Sequence, residues 1–419
     1  MILIRDATIV GDKIIQGDIL VEDGRIREIG KDIGEKADDI IDAKGKIAIP
    51  GLVNTHTHVA MTLFRGYGED LPLHEWLQNK IWPAEAKMTA EDIRIGSLLA
   101  YVEMIKSGIT SFNEMYIAGI NEMKEAAEEV GMRGIVSLGL FDLIPGHSYE
   151  GEIKGMKESI FKPSELIMPA VSCHAPYTCS KELIGEAGKF AKEKKLKFHM
   201  HVSETRKEML DVLKAHGKYP FEYLDELGVV HEDSIFAHAS WVTKREIALV
   251  GKRKATISNN PESNLKLATG GICPVKEYID AGANLTLGTD GAASNNSLSI
   301  FETMKLMGLL QKHRYWKADI LPTRRIFESA TVNGAKALGF DSGELKEGKL
   351  ADIALLNRDV NLVPEHDIIA NLIYAAEPQN VNDVIINGKL VMKDRKMLTV
   401  DEEKIKKDAE KTAKELVKR

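Results

Sequence analysis

Two histidines one residue apart, His56 and His58, end the apolar segment that follows Pro50. Successive side chains of a β-strand point to opposite faces, so residues i and i+2 share a face. If residues 51–56 form a strand, both imidazoles project side by side from its end. Two imidazoles placed in this way can bind one metal ion. The spacing therefore predicts a metal site at the end of this strand.

Two other predicted strands end in residues that would complete the site. His201 lies in HMHVSE (199–204) and Asp290 lies in GTDG (288–291). Three imidazoles and a carboxylate, with water in the remaining position, suit Zn²⁺ or another divalent first-row ion. We predict one divalent metal per chain, expected to be Zn²⁺, bound by His56, His58, His201 and Asp290.

The segments that must position these residues alternate between short apolar runs and amphipathic helices. The candidate strands are 51–56, 109–114, 134–140, 166–174, 196–202, 234–239, 254–259 and 283–290. Eight strand–helix units are typical of a (β/α)8 TIM barrel, whose active site lies at the carboxyl ends of its strands. An open doubly wound sheet is disfavoured because no GxGxxG motif follows the first strand. The pattern predicts an α/β fold with a barrel over residues 51–344.

Both ends of the chain are instead rich in β-structure. Alternating apolar residues surround Asp23-Gly24 near the N-terminus and Asn387-Gly388 near the C-terminus. Such dipeptides between alternating segments are strong hairpin patterns. We predict that residues 1–50 and 345–419 form one small β-sandwich domain, which also carries a charged C-terminal helix.

The overall composition excludes several classes of protein. A net charge of −7 argues against a general nucleic-acid binder, and no apolar run is long enough for a transmembrane helix. Only three cysteines occur, and the N-terminus lacks the pattern of a signal peptide. These features predict a cytoplasmic protein. Scarce glutamine beside abundant Lys, Glu and Ile indicates a thermophilic source.

The motifs in combination resemble those of a known family. From PGLVNTHTH (50–58) through GTDGAASNN (288–296) to GELKEGKLADIALL (343–356), the chain resembles the amidohydrolase superfamily. Within it, the chain is similar to the S-adenosylhomocysteine/methylthioadenosine deaminase family. The resemblance implies a distorted (β/α)8 barrel, a small β-sandwich from both chain ends and a homo-oligomer, expected to be a tetramer.

The same resemblance implies a single catalytic metal. Binuclear superfamily members carry a bridging lysine at the end of strand four, whereas this chain reads CHAPY (173–177) there. His174 is then better interpreted as a substrate contact than as a ligand of a second metal.

The resemblance also assigns the catalytic roles. Asp290 would bind the metal and take the proton from water, and the resulting hydroxide would attack C6 of an adenine ring. Glu204 would protonate N1 and assist the departure of the amine. His238 would orient the hydroxide or stabilise the developing charge. The products would be ammonia and an inosine analogue.

By resemblance, the long segment after the first strand covers the substrate. Glu85 would accept hydrogen bonds from the ribose 2′- and 3′-hydroxyls, and Trp76 would form a wall of the pocket. Ser294 would touch the edge of the purine. The partner is thus a small-molecule nucleoside, with no role for nucleic acid or a membrane.

One departure from the family bears on the substrate. Leu138 occupies the position where we would look for an arginine that holds the carboxylate of S-adenosylhomocysteine. Without a guanidinium group, bidentate recognition of that carboxylate is weakened. We predict a broad deaminase of 5′-deoxyadenosine, methylthioadenosine, S-adenosylhomocysteine and adenosine, with 5′-deoxyadenosine at least as good a substrate as S-adenosylhomocysteine.

Two alternatives stay open on the sequence alone. The same barrel and metal could serve a deaminase or chlorohydrolase of another heterocycle, such as guanine, cytosine or a triazine. Glu85 within WPAE and the HAPY segment (174–177) favour a nucleoside. A non-catalytic barrel is disfavoured because all four ligands are present together with Glu204 and His238.

Overall fold

The computed structural model describes residues 1–419. Its first strands are β1 (Ile2–Val10), β2 (Ile14–Glu22), β3 (Arg25–Gly30), β4 (Asp39–Asp42) and β5 (Ile47–Pro50). The hairpin predicted at Asp23-Gly24 joins β2 to β3, with φ angles of 49° and 76° at these two residues. Positive φ at both central positions is what a type I′ turn requires.

Parallel strands of a barrel follow in the middle of the chain. They are β6 (Leu52–Thr57), β7 (Ile109–Tyr116), β8 (Arg133–Leu140), β9 (Ile167–Pro169), β10 (Val171–Cys173), β11 (Phe198–Val202), β12 (Ser234–His238), β13 (Thr256–Asn259) and β14 (Asn284–Leu287). The fourth barrel strand is split at Ala170 into β9 and β10. Hydrogen bonds join the strands in the order β6-β7-β8-β10-β11-β12-β13-β14, with β9 beside β8. The predicted (β/α)8 barrel is therefore confirmed.

Helices connect and cover these strands. They are α1 (Leu73–Trp76), α2 (Trp82–Glu85), α3 (Ala90–Lys106), α4 (Ile120–Val130), α5 (Tyr149–Ser159), α6 (Lys181–Lys194), α7 (Arg206–His216), α8 (Pro220–Glu226), α9 (Lys244–Arg253), α10 (Pro261–Lys266), α11 (Val275–Ala281), α12 (Ala292–Asn295), α13 (Ile300–Tyr315), α14 (Thr323–Ala330), α15 (Val332–Leu338), α16 (Ile368–Tyr374) and α17 (Glu402–Leu416). A π-helical turn, Leu77–Ile81, joins α1 to α2. Short 3₁₀ turns cover Val59–Phe64, Val360–Leu362 and Pro378–Asn380.

The ends of the first and last barrel strands are joined by hydrogen bonds beyond the strands themselves. The Asn54 side-chain amide donates to Thr289 Oγ1 at 2.7 Å. The Asp290 N–H donates to the His56 carbonyl at 3.0 Å. These bonds place Asp290 beside the histidine pair, which is the first requirement of the predicted site.

The last strands are β15 (Ile353–Leu356), β16 (Val381–Ile386), β17 (Lys389–Lys393) and β18 (Lys396–Met397). They extend the N-terminal sheet in the order β18-β17-β16-β15-β5-β1-β2-β3, with β4 paired to β1. Because β15 pairs antiparallel with β5, both chain ends build one mainly antiparallel sheet. This sheet has an apolar cluster of its own, separate from the main core. The separate β-structure predicted from both chain ends, which we expected as a small β-sandwich, is confirmed, and its strands are joined in one sheet.

The C-terminal helix α17 packs against the barrel helix α3. Glu402 pairs with Lys106, with Oε2 and Nζ 2.8 Å apart, and Leu416 is fully buried. No helix combines the length and the apolar character needed to cross a membrane.

Candidate active site

Three of the predicted metal-binding residues meet at the carboxyl ends of β6 and β14. Asp290 Oδ1 lies 3.4 Å from His56 Nε2 and 3.2 Å from His58 Nε2. His56 is fully buried and Asp290 is nearly so. The strand alternation therefore places both imidazoles on the same side, as the HxH spacing predicts.

Hydrogen bonds to carbonyl groups orient His58 and His201. His58 Nδ1 lies 2.6 Å from the Met115 carbonyl oxygen, and His201 Nδ1 lies 2.7 Å from that of His174. A carbonyl oxygen only accepts, so each Nδ1 carries the hydrogen and each Nε2 of the neutral ring keeps a lone pair. The two Nε2 atoms lie 3.3 Å apart. Two lone pairs at this distance repel each other unless a cation lies between them.

His238 adds another imidazole to the cluster. Its Nδ1 lies 2.8 Å from Asn264 Oδ1, and the Asn264 amide nitrogen donates to Ser240 Oγ at 3.0 Å. This arrangement again leaves Nε2 free. A ligand atom of His238 lies within 4.8 Å of those of His56 and His201. His238, which the sequence predicts to be catalytic, is therefore also close enough to contact a metal ion bound by His56 and His201.

The donor set fits a divalent ion. His56 Nε2 is buried and has no hydrogen-bond partner. Burial lowers the pKa of His56 to about 3, so its imidazole is neutral and can bind a metal. Burial opposes a charge on His58, but the Asp290 carboxylate raises the pKa of His58 to about 9. The electrostatics of the cluster therefore favour a positive charge, and nitrogen and carboxylate ligands suit zinc and its neighbours.

Asp290 is held in one orientation. Ser263 Oγ donates to its Oδ2 at 2.6 Å, and the Gly291 N–H donates to its Oδ1 at 2.8 Å. Burial alone would raise the pKa of Asp290, but the His56 and His58 imidazoles against its Oδ1 keep that pKa well below its usual range. Asp290 is therefore an anion directed at the cluster.

Glu204 lies next to the cluster, but its pKa is shifted in the opposite direction from that of Asp290. Its Oε2 is 3.9 Å from His238 Nε2, and the residue is only 7% exposed. Burial, assisted by the charge of Asp290, raises the pKa of Glu204 to about 8. The group therefore keeps its proton at neutral pH, and the two neighbouring carboxyl groups are held in opposite protonation states.

A cavity of about 370 Å³ opens above the cluster. All of the predicted site residues except His56 line it, and His56 lies beneath. Those that line it are His58, Trp76, Glu85, His174, His201, Glu204, His238, Asp290 and Ser294. Residues predicted to bind the metal, to catalyse and to contact the substrate thus share one cavity.

A comparison with known families agrees with this geometry. The model of the amidohydrolase family matches residues 47–391, which is most of the chain. The chain belongs to the amidohydrolase family. The predicted resemblance is thereby confirmed, and the amidohydrolase barrel accounts for a metal cluster at the carboxyl ends of the strands.

Individual relatives match this amidohydrolase over nearly its whole length. A 5′-deoxyadenosine deaminase from Methanosphaera stadtmanae is 46% identical over 99% of both chains. A 5-methylthioadenosine/S-adenosylhomocysteine deaminase from Pyrococcus furiosus is 43% identical, covering 97% of this chain and 98% of the relative. Among solved structures, an adenosine deaminase from Xanthomonas campestris with bound zinc has a TM-score of 0.95 and 30% identity. That match covers 100% of this chain and 99% of the other.

The roof of the amidohydrolase cavity comes from the segment after the first barrel strand. Trp76 ends α1, and Glu85 ends α2 beyond the π-helical turn. Glu85 is 5% exposed, and its Oε1 has no hydrogen-bond partner. Burial raises the pKa of Glu85 to about 7. An unpartnered carboxylate oxygen in a cavity is suited to accept hydrogen bonds from hydroxyl groups of a ligand.

His174 and Ser294 lie on other walls of the cavity. His174 Nδ1 is 2.9 Å from Thr178 Oγ1, whose own hydroxyl donates to the Ala175 carbonyl at 3.1 Å. That hydroxyl oxygen therefore accepts from His174 Nδ1, and His174 Nε2 remains an acceptor. Burial lowers the pKa of His174 to about 4, so the ring is neutral. Ser294 Oγ donates to the Gly291 carbonyl at 3.0 Å.

The interpretation of Leu138 needs correction. Leu138 does not line the cavity, whereas the next residue of the strand, Gly139, does. The Leu138 side chain instead faces α5, where its Cδ2 lies 3.4 Å from the position of a Cβ built on Gly155. Because side chains alternate along β8, the side chain of Leu138 points away from the cavity. Neither lysine nor arginine lines the cavity, so the argument that no guanidinium group binds a substrate carboxylate there does not depend on Leu138.

Sequence reasoning missed several residues that hold the site together. Ser263 and Asn264 bind Asp290 and His238, and both lie in the polar run SNNPESN (258–264) after β13. A polar run at a barrel strand end could have indicated them. Buried Glu114 accepts from the Val59 N–H at 2.7 Å, and His199 contacts His56 at 3.1 Å between ring nitrogens. No spacing pattern points to Glu114, whereas His199, two residues before His201, repeats the HxH spacing and could have been found from it.

Proposed function

We propose that this amidohydrolase hydrolyses the C6 amino group of 5′-modified adenosines, giving inosine analogues and ammonia. The observation that carries the proposal is a buried Glu204, with its pKa raised to about 8, beside a cluster of potential metal ligands in one cavity. Purine deamination needs both a nucleophile for C6 and a proton for N1. The names of the relatives, deaminases of 5′-deoxyadenosine and of methylthioadenosine and S-adenosylhomocysteine, support this reaction.

The side chains divide the proton transfers between them. When bound, a divalent ion lowers the pKa of water and so supplies a nucleophile at neutral pH. Asp290 accepts the proton of the attacking water. Glu204 gives its proton to N1 as C6 becomes tetrahedral. The proton held by Asp290 then goes to the amine, which leaves as ammonia. Glu204 assists this departure by taking up the proton of the C6 hydroxyl as the carbonyl forms, which restores its acid form. His238 presents its free Nε2 as an acceptor that orients the attacking water.

The remaining contacts would select a nucleoside. Glu85 accepts hydrogen bonds from the ribose 2′- and 3′-hydroxyls, and Trp76 packs beside the sugar. His174 and Ser294 lie near the purine edge. Around the expected position of the 5′ group the lining is apolar, with Phe141 among the residues that form it. We infer a broad preference that covers adenosine, 5′-deoxyadenosine, methylthioadenosine and S-adenosylhomocysteine, with 5′-deoxyadenosine at least as good as S-adenosylhomocysteine.

The metal and the setting of the enzyme are further parts of this proposal. We infer one Zn²⁺ per chain, since His56, His58, His201 and Asp290 supply nitrogen and carboxylate ligands. The bound zinc named for the adenosine deaminase structure supports this choice. We also infer a cytoplasmic enzyme from a thermophile, on the composition, and a homotetramer, on the resemblance to the family.

A substrate panel tests the reaction. Adenosine, 5′-deoxyadenosine, methylthioadenosine and S-adenosylhomocysteine should each lose adenine absorbance with the metal-loaded enzyme, compared as kcat/KM. Guanine, cytosine and a chlorotriazine serve as controls and should be turned over poorly. Efficient conversion of one control, with no conversion of any adenosine, would contradict the proposal and favour the other heterocycles. A much larger kcat/KM for S-adenosylhomocysteine than for 5′-deoxyadenosine would contradict the substrate preference.

A further inference from the structure

The chain makes a sharp turn between the metal cluster and Glu204. After β11 ends at Val202, Ser203 adopts a φ of 55°, in the left-handed region that side chains other than glycine seldom occupy. Such a conformation persists only where surrounding contacts enforce it. The direction in which Glu204 points depends on this turn, because Glu204 is the next residue.

Glu208 supplies the contacts that enforce the turn. Its Oε1 accepts from the Ser203 N–H at 2.6 Å, and its Oε2 accepts from the Glu204 N–H at 2.9 Å. The residue is 2% exposed, so water cannot replace these bonds. Each oxygen of the Glu208 carboxylate thus accepts a hydrogen bond from one of two consecutive backbone amides, those of Ser203 and Glu204.

This pattern differs from ordinary helix capping. Glu208 is the third residue of α7, whose N-cap is Thr205. In a capping box, the glutamate at this position accepts from the N-cap N–H. Glu246 does so in α9, where its Oε2 accepts from the Thr243 N–H at 2.8 Å. The Glu208 carboxylate instead reaches past its N-cap residue to Ser203 and Glu204.

We propose that Glu208 is a positioning residue that aims the carboxyl group of Glu204 at the substrate. This inference rests on the proposed function, in which Glu204 transfers protons. Glutamine at position 208 has one oxygen, so one of the two amides would face an NH₂ donor instead of an acceptor. The turn would then relax, and a displacement of about 1 Å of an acid–base group can reduce turnover about 100-fold.

A double-mutant cycle tests the proposal. Glu208→Gln should lower kcat by about 10- to 100-fold, with KM and metal content unchanged. In the Glu204→Gln background the same substitution should cause no further loss, because Glu208 acts through Glu204. Glu246→Gln is the matched control, since Glu246 is an equally buried capping glutamate that does not line the cavity. It should lower the melting temperature and leave kcat unchanged.

Several results would overturn the inference. A wild-type kcat in Glu208→Gln, or an equal loss with and without Glu204, would reduce Glu208 to a structural role. If Glu208→Gln does not fold, Glu208→Asp replaces it, since the shorter side chain reaches only one amide, and the same cycle applies. Failure of the proposed function would look different: Glu204→Gln itself would then retain near-normal turnover.

Discussion

At the scale of single residues, the site depends on keeping two nearby carboxyl groups in different protonation states. Asp290 is an anion because the His56 and His58 imidazoles lie against it and lower its pKa, while Glu204 keeps its proton because burial raises its pKa to about 8. A carboxyl group therefore serves as a candidate metal ligand at Asp290 and as a proton donor at Glu204. Substitutions of the two residues should have separable effects.

Removal of the acid should spare the metal. Glu204→Gln keeps the size and burial of the side chain but cannot transfer a proton, and we expect kcat to fall by about 10²- to 10⁴-fold. Metal analysis of the purified variant should still give one divalent ion per chain. Near-normal turnover would show that another group protonates N1.

Removal of the carboxylate ligand should affect both properties. Asp290→Ala deletes the only anion among the predicted ligands and removes the carboxylate that lies against the imidazoles of His56 and His58. We expect loss of bound metal together with loss of activity, measured on the same preparation. A variant that binds metal as the wild type does would remove Asp290 from the ligand set.

The raised pKa of Glu204 also predicts a pH profile. The acid form is required, and it is present below the pKa of about 8 and disappears above it. kcat/KM should therefore decline as the pH rises through about 8, and Glu204→Gln should lack this decline. A profile that stays flat to well above that pH in the wild type would contradict the assignment.

At the scale of elements, the sequence predicts the barrel well because strands and helices have distinct periods. Each of the predicted barrel strands appears, and both Asp-Gly and Asn-Gly hairpins are present. When a strand is buried on both faces, its periodicity does not show which alternate residues face the inside of the barrel. In β8, nearly every residue is buried, so the pattern does not reveal that Gly139 rather than Leu138 faces the cavity.

Contacts between distant segments were equally hard to predict. Ser263 and Asn264 act through hydrogen bonds to Asp290 and His238, whose geometry arises only when the barrel closes. The predicted site residues were accessible to sequence reasoning because they end strands or belong to motifs. Their roles are predictions that the substitutions above will test.

The observed orientation of the β8 side chains leads to a prediction about substrate preference. Ile144, in the segment between β8 and α5, lines the cavity, whereas Leu138 packs against α5. Ile144→Arg should raise kcat/KM for S-adenosylhomocysteine relative to 5′-deoxyadenosine, because a guanidinium can bind the carboxylate bidentately. Leu138→Arg, the control, should lower stability without that change in preference. A shift in preference toward S-adenosylhomocysteine in Leu138→Arg but not in Ile144→Arg would show that residue 138 contacts the substrate.

At the scale of the whole molecule, the metal cluster joins parts of the barrel that are far apart in sequence. His56 lies in β6 and His58 directly follows it, His201 belongs to β11, and Asp290 follows β14. The Nε2 atoms of His58 and His201 lie only 3.3 Å apart, where one cation can bind to both. Other contacts at the same strand ends, such as Asn54 with Thr289, need no metal.

Metal removal should therefore destabilise the protein without unfolding it. A ligand that binds only the native state stabilises it by RT ln(1 + [L]/Kd), so a chelator should lower the melting temperature measured by calorimetry. Circular dichroism of the apoprotein at ambient temperature should remain that of the folded barrel, since the core and the joined strand ends persist. Added Zn²⁺ should restore both the melting temperature and the deaminase activity. If chelation changed neither, the convergence of imidazole nitrogens would require an explanation other than a metal, and the buried, unpartnered His56 Nε2 would be the first atom to explain.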